Sequence, residues 1–338
     1  MNILEKIPKY QAGRPPRPIF ETTFLEELKV NWGENWGAQS AAGKLRKVLL
    51  HPPGEECKAP ILAKDPAFFN LPMGLPDYEK MRKQHENLCD VMKGEGVDVV
   101  FLNPRGPLLG TYGLPLRSAC YTHESVVIKG GAIIERPAMA YKKGYEVYQA
   151  KRLMEIGCPI LYTVHGSGVF EGSNLWFLDE KTALVGVGLR TNMEAVEQIT
   201  PILRRAGVDE IHVVYLPGYL ERREYQVGGS SGIFHLDMTF GMADEGLGVI
   251  YPGGVDYNTI EYLEKKEINL IEVPEEELRN CAPNIFPLAP RKVLIPSGNP
   301  ETTRSLRKEG VDVIEVDLSE FVKGGGGPRC LSLDLVRD

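Results

Sequence analysis

From Leu45 to Val316 the chain repeats one order of elements, a hairpin followed by a helix and a closing strand, and any fold for it must accommodate that repetition. Ser125–Ile128 and Ala132–Arg136 pair across Lys129-Gly130-Gly131, a helix follows from Tyr145 to Ile156, and Ile160–Val164 closes the unit. The next round runs Leu175–Leu178, Thr182–Val187, a helix from Met193 to Ala206, and Ile211–Leu216. A third pairs Asp237–Met242 with Gly248–Tyr251, then a helix near Tyr257–Glu264 and the strand Asn269–Val273. The last has Asn284–Leu288, Lys292–Pro296, a helix from Glu301 to Glu309, and Val311–Val316. A less regular first unit, Leu45–Leu50, a helix capped by Asp77, and Val97–Leu102, brings the count to about five. Hairpins inside the units argue against a single parallel sheet. Units of one shape suit closure into a ring, with the loops at one end converging on a shared centre.

Residues 1–44 fall outside this pattern. They hold the Pro-rich Arg14-Pro15-Pro16-Arg17-Pro18, a short helix from Thr23 to Val30, and Trp32 and Trp36. The two tryptophans predict an arm packed on the main body, residues 45–338.

Composition excludes several classes. A net charge of -7 leaves no excess of cations for neutralising phosphates, so no nucleic acid is expected as partner. No apolar run is long enough to cross a bilayer, and the start, MNILEKIPKY, is no signal peptide; no membrane and a cytoplasmic location are the expectations. The six cysteines and six histidines show neither CxxC nor HExxH spacing, which predicts no metal.

Chemistry gathers at four places. The chain's last motif, Lys323-Gly324-Gly325-Gly326-Gly327-Pro328-Arg329-Cys330, lets backbone approach a ligand and presents a thiol beside a cation. Arg329 is expected to lower the Cys330 pKa and favour the attacking thiolate. Phe234-His235-Leu236-Asp237, read as a strand, would aim His235 and Asp237 to one side. Glu171-Gly172-Ser173-Asn174 opens one hairpin, and Glu124 stands at the equivalent opening of the hairpin before it.

In combination, Phe170–Asn174 (FEGSN), Gly188–Asn192 (GLRTN), His235–Phe240 (HLDMTF) and Gly324–Cys330 (GGGGPRC) resemble the motifs of the guanidine-modifying enzymes of the pentein fold. That family includes arginine deiminases, dimethylarginine dimethylaminohydrolases and amidinotransferases. The resemblance implies an α/β propeller, a five-bladed pseudo-symmetric ring of ββαβ units, with its active site in the central channel. It implies cysteine-dependent hydrolysis of a guanidino, amidine or ureido C–N bond through a thiouronium-type adduct, without a cofactor. Cys330 would be the nucleophile, His235 the general acid and base, and Glu171 its orienting carboxylate. Glu124 and Asp237 would hold the guanidinium, with Asn174 and Arg190 binding other parts of the substrate.

Three positions depart from the family pattern: Glu124 replaces an aspartate, Asn174 replaces the aspartate ending its motif, and Gly325 stands where deiminases carry arginine. They point away from free arginine as substrate. An amidinotransferase, a dihydrolase releasing two ammonia molecules, and a non-catalytic propeller that binds a partner remain as alternatives. A small-molecule guanidino or ureido substrate is the expected partner, and a homo-oligomer is compatible with the sequence.

Overall fold

The computed structural model describes residues 2–71, 73–217 and 233–338; Ser231 and Gly232, which open the His235 motif, lie outside them. The irregular first unit supplies β1 (Leu45–Leu50) and β2 (Asp98–Phe101). The next two rounds supply β3 (Val126–Ile128), β4 (Gly131–Ile134) and β5 (Ile160–Thr163), then β6 (Leu175–Phe177), β7 (Thr182–Val187) and β8 (Glu210–Tyr215). The last two supply β9 (Phe240–Asp244), β10 (Leu247–Ile250) and β11 (Asn269–Glu272), then β12 (Phe286–Ala289), β13 (Lys292–Pro296) and β14 (Asp312–Val316). A final strand, β15 (Leu333–Arg337), follows the glycine-rich motif.

These strands form five three-stranded sheets. In four of them the middle strand pairs antiparallel with its hairpin partner and parallel with the strand that returns after the helix. The remaining sheet has the same pattern by another route, for β1 is parallel to β2 and antiparallel to β15. Sequence periodicity missed β15, because Leu333-Asp334-Leu335-Val336-Arg337 is short and its partner lies at the other end of the chain.

The middle strands are apolar on both faces because each touches two neighbouring sheets. Side chains alternate along a strand, so Val48 and Leu50 of β1 pack toward Phe286, Leu294 and Val316, while Leu49 packs toward Val127 and Ile134. Ile128 and Ile133 meet Leu175 and Val185. Leu184 and Val214 meet Phe240 and Ile250, and Val249 and Ile271 meet Val293 and Val313. Each apolar cluster thus joins one sheet to the next, and the last returns to the first.

The helices cover the sheets through the faces their periodicity predicts. In Met193–Arg205 the buried residues are Ala195, Val196, Ile199 and Leu203, and Asn192 caps the helix by accepting from the Ala195 amide. Asp77 and Asp256 cap Tyr78–Gly94 and Tyr257–Lys265 in the same way. Trp36 is buried beside Leu49 and Leu335, and its neighbour Gly37 donates to the Leu335 carbonyl. No helix among the described residues is long and apolar enough to cross a membrane.

One local expectation is corrected. Leu236–Met238 forms a turn of 3-10 helix, and the strand starts only at Phe240. His235 and Asp237 therefore do not share a strand face; the turn sends them to different partners.

Candidate active site

In each unit a polar side chain of the group around Cys330 stands two to five residues before a sheet's edge strand. Glu124 precedes β3, Glu171 precedes β6, His235 and Asp237 precede β9, Asn284 precedes β12, and Cys330 precedes β15. Repetition of the fold thus gathers residues more than two hundred positions apart in sequence.

Cys330 is 5% exposed and borders a cavity with Glu124, Lys142, Arg190 and His235. The Asn284 amide donates to its Sγ at 3.1 Å, and the thiol lies 3.4 Å from Asp237 Oδ2. Asn284 also accepts from the backbone amides of Arg329 and Cys330 at 3.1 and 3.3 Å, which fixes the loop that carries the sulfur. Gly325, at φ 76°, needs the left-handed region that glycine tolerates, and it lines the cavity.

The expected activation of Cys330 by Arg329 is not what the geometry provides. Arg329 bonds Asp237 Oδ2 at 3.1 Å and the Leu175 carbonyl at 2.8 Å, and its guanidinium lies 3.8 Å from the Trp176 ring centre. Burial, then the Asp237 charge, pushes the thiol well above its ordinary pKa, and Arg329 offsets this only in part.

Glu171 is fully buried and pinned in place. Its Oε2 accepts from Lys142 Nζ at 2.7 Å and from Arg190 at 3.3 Å, and lies 2.8 Å from His235 Nε2. Burial opposes its charge, yet Lys142, Arg190 and His235 together hold the carboxyl well below its usual range. Burial likewise lowers the pKa of His235, against the pull of Glu171, so the imidazole is neutral at pH 7. Its Nδ1 has no partner among the described residues.

Glu124 is paired with Lys142 through Oε1, while Oε2 is unpartnered among the described residues. Burial pushes its carboxyl up to about 7, against the attraction of Lys142. Arg190 is committed to Glu171 and donates to the Tyr141 hydroxyl at 2.9 Å.

The structure gives Asn174 a different place from the one expected. Its amide nitrogen donates to Thr191 Oγ1 at 2.9 Å, and its oxygen accepts from the Leu236 amide at 2.9 Å. It is absent from the cavity wall and instead tethers the turn that follows His235. Asp237 also sits behind the wall, bonded to Arg329 and facing the thiol.

Asn284 and Lys142 were not anticipated. The repeat itself flags Asn284, which stands before a hairpin as Glu124 and Glu171 do. Lys142 lies in the loop between β4 and the helix Tyr145–Glu155, where no spacing marks it. Among the described residues no cluster of His, Cys, Asp and Glu could hold a metal ion.

Comparison with known proteins agrees with this arrangement. Residues 255–337 match the arginine deiminase family model. A 2-nitroimidazole nitrohydrolase from Mycobacterium sp. (strain JS330) is 25% identical, over 99% of this chain and 92% of that protein. The N(G),N(G)-dimethylarginine dimethylaminohydrolase of Pseudomonas aeruginosa is 27% identical over 77% of this chain and 91% of that protein. Among solved structures, the N-terminal domain of ArgZ, a cyanobacterial arginine dihydrolase, matches with a TM-score of 0.71 at 19% identity, covering 87% of this chain and 98% of that one. That likeness carries the fold. The chain is thus similar in sequence to arginine deiminase and to a dimethylarginine dimethylaminohydrolase, and similar in fold to an arginine dihydrolase domain.

Proposed function

We propose that the protein breaks a C–N bond at an amidine-type carbon through a covalent adduct on Cys330, and that its five sheets form the blades of a propeller whose centre is the active site. The observation that carries this is the meeting of Cys330 and the Glu171–His235 pair on one cavity. As the Cys330 sulfur adds to the carbon, the thiol's proton passes to His235. A C–S bond forms, the C–N bond breaks with its electron pair leaving on nitrogen, and His235 gives its proton to a leaving amine. His235 then takes a proton from water, whose oxygen adds to the carbon; the C–S bond breaks and sulfur leaves as thiolate. Glu171 keeps His235 in one tautomer and stabilises its charged form.

The carbon acted on is guanidino, amidine or ureido in type. Free arginine fits poorly, since Gly325 supplies no side chain to hold its carboxylate. A nitro-substituted amidine carbon is a second reading, favoured by the near-complete overlap with the nitrohydrolase. An amine acceptor in place of water, or a second hydrolytic round, would show in the products.

Acid quench during turnover, followed by peptide mass spectrometry, is expected to find the substrate carbon on the peptide containing Cys330. Cys330→Ala should lose at least roughly 1,000-fold in kcat. Undiminished turnover by that variant overturns the reading.

A further inference from the structure

The cavity that would receive the substrate is unusually well supplied with cations of its own. Among the described residues its wall carries Arg117, Lys142 and Arg190 but a single carboxylate, Glu124. Each carboxylate near the thiol already has a cationic partner: Glu124 has Lys142, Glu171 has Lys142 and Arg190, and Asp237 has Arg329. Lys142 is buried, and its ammonium bridges Glu171 and Glu124, the carboxylate on the cavity wall that a substrate guanidinium would seek. Among the described residues, a guanidinium entering this space would find no carboxylate without a cationic partner, and cations on several sides. In a buried site that repulsion is barely screened.

We propose that Lys142 takes the place of the substrate's positive charge, and that the protein acts on uncharged amidine carbons bearing a leaving group that departs as an anion. This deepens the reading above and rests on it. Unpartnered polar atoms suit a neutral ligand: among the described residues Glu124 Oε2 and His235 Nδ1, with Arg117 Nε and Ser118 Oγ, are unpartnered and belong to residues of the cavity wall. The first accepts from an N–H, and the second lies on the base. For 2-nitroimidazole the balance is simple. The Cys330 thiolate forms the C–S bond, nitrite leaves with the electron pair of the broken C–N bond, and water restores the thiol while delivering its oxygen to the carbon. The net change adds one water and releases nitrous acid as nitrite and a proton. An anionic leaving group needs no proton from His235, whose neutral form the site favours.

The test compares pairs of similar size: nitroguanidine with methylguanidinium, and 2-nitroimidazole with 2-aminoimidazole, a cation at neutral pH. Arginine is added as a cation that also carries a carboxylate. Turnover is read as nitrite from 2-nitroimidazole, as nitramide and urea from nitroguanidine, and as ammonia or the product amine from the cations, all released by the whole protein, and binding by calorimetry on Cys330→Ala. The neutral member of each pair should exceed its cationic partner by roughly 100-fold in kcat/KM or in affinity, the scale of one unscreened charge repulsion. Lys142→Met should narrow that ratio at least 10-fold, since it frees Glu124 for a cation. Equal or better handling of the cations, arginine included, overturns the proposal while leaving the Cys330 reaction intact. Failure of every compound to bind at millimolar concentration also overturns it.

Discussion

Glu124 and Glu171 stand at the same place in successive units, before β3 and β6, and both reach Lys142, yet their surroundings part them. Glu171 has four hydrogen-bonding partners around its two oxygens: Lys142, Arg190, His235 and the Ala138 amide. It stays ionised in spite of complete burial. Glu124 has Lys142 alone, and burial brings it up to about 7. A repeated fold supplies equivalent positions; the second partner decides which becomes a fixed anion and which an adjustable acceptor.

The comparison can be broken most forcefully at Glu171. Glu171→Gln removes the charge that balances Lys142 and Arg190 and stabilises charged His235. Its kcat should fall by roughly 1,000-fold, with the folded state also weakened, because breaking a buried ion pair strands its partners. A loss below 10-fold, read by steady-state kinetics, would deny Glu171 its orienting role. Glu124→Gln should be milder, on the order of 10- to 100-fold. Activity that rises as Glu124 ionises should show a limb near pH 7 in the wild type, and the variant should lack it. A limb preserved in Glu124→Gln would assign that titration elsewhere.

Glu135 sharpens the contrast as a buried carboxylate with no cation among its partners. It is fully buried against Ser125, and burial pushes it up to about 8. Since its folded pKa is raised, the folded state holds the proton longer than the unfolded chain does. Its contribution to stability is complete below the unfolded value of about 4.3 and is lost as pH rises through 8. Glu135→Gln should therefore flatten the decline in Tm between about pH 5 and 8 and leave kcat nearly unchanged. An unaltered slope of Tm against pH would refute this reading of Glu135.

Much of this was legible from the residues. Alternation and turn signals located the four regular units to within a few positions, because each strand's two apolar faces and each helix's capped, one-sided burial are local properties. That Cys330, His235, Glu171 and Glu124 come together was legible because the repeat brings the starts of its sheets to one place. Lys142 was not, since its importance comes from two carboxylates that meet it only in space. The activation assigned to Arg329 failed for a related reason: adjacency in sequence set it beside Cys330, while the fold aimed its guanidinium at Asp237 and Trp176. Asn174 likewise looked like a pocket residue from its motif, but both ends of its amide are spent on Thr191 and Leu236.

The pairing of β15 with β1 ties the placement of Cys330 to the completion of the first sheet. A nascent chain that has emerged only through β14 possesses His235, Glu171 and Lys142, but its first sheet lacks an edge and Cys330 is still to come. Completing that sheet and delivering Cys330 to the cavity are therefore one event.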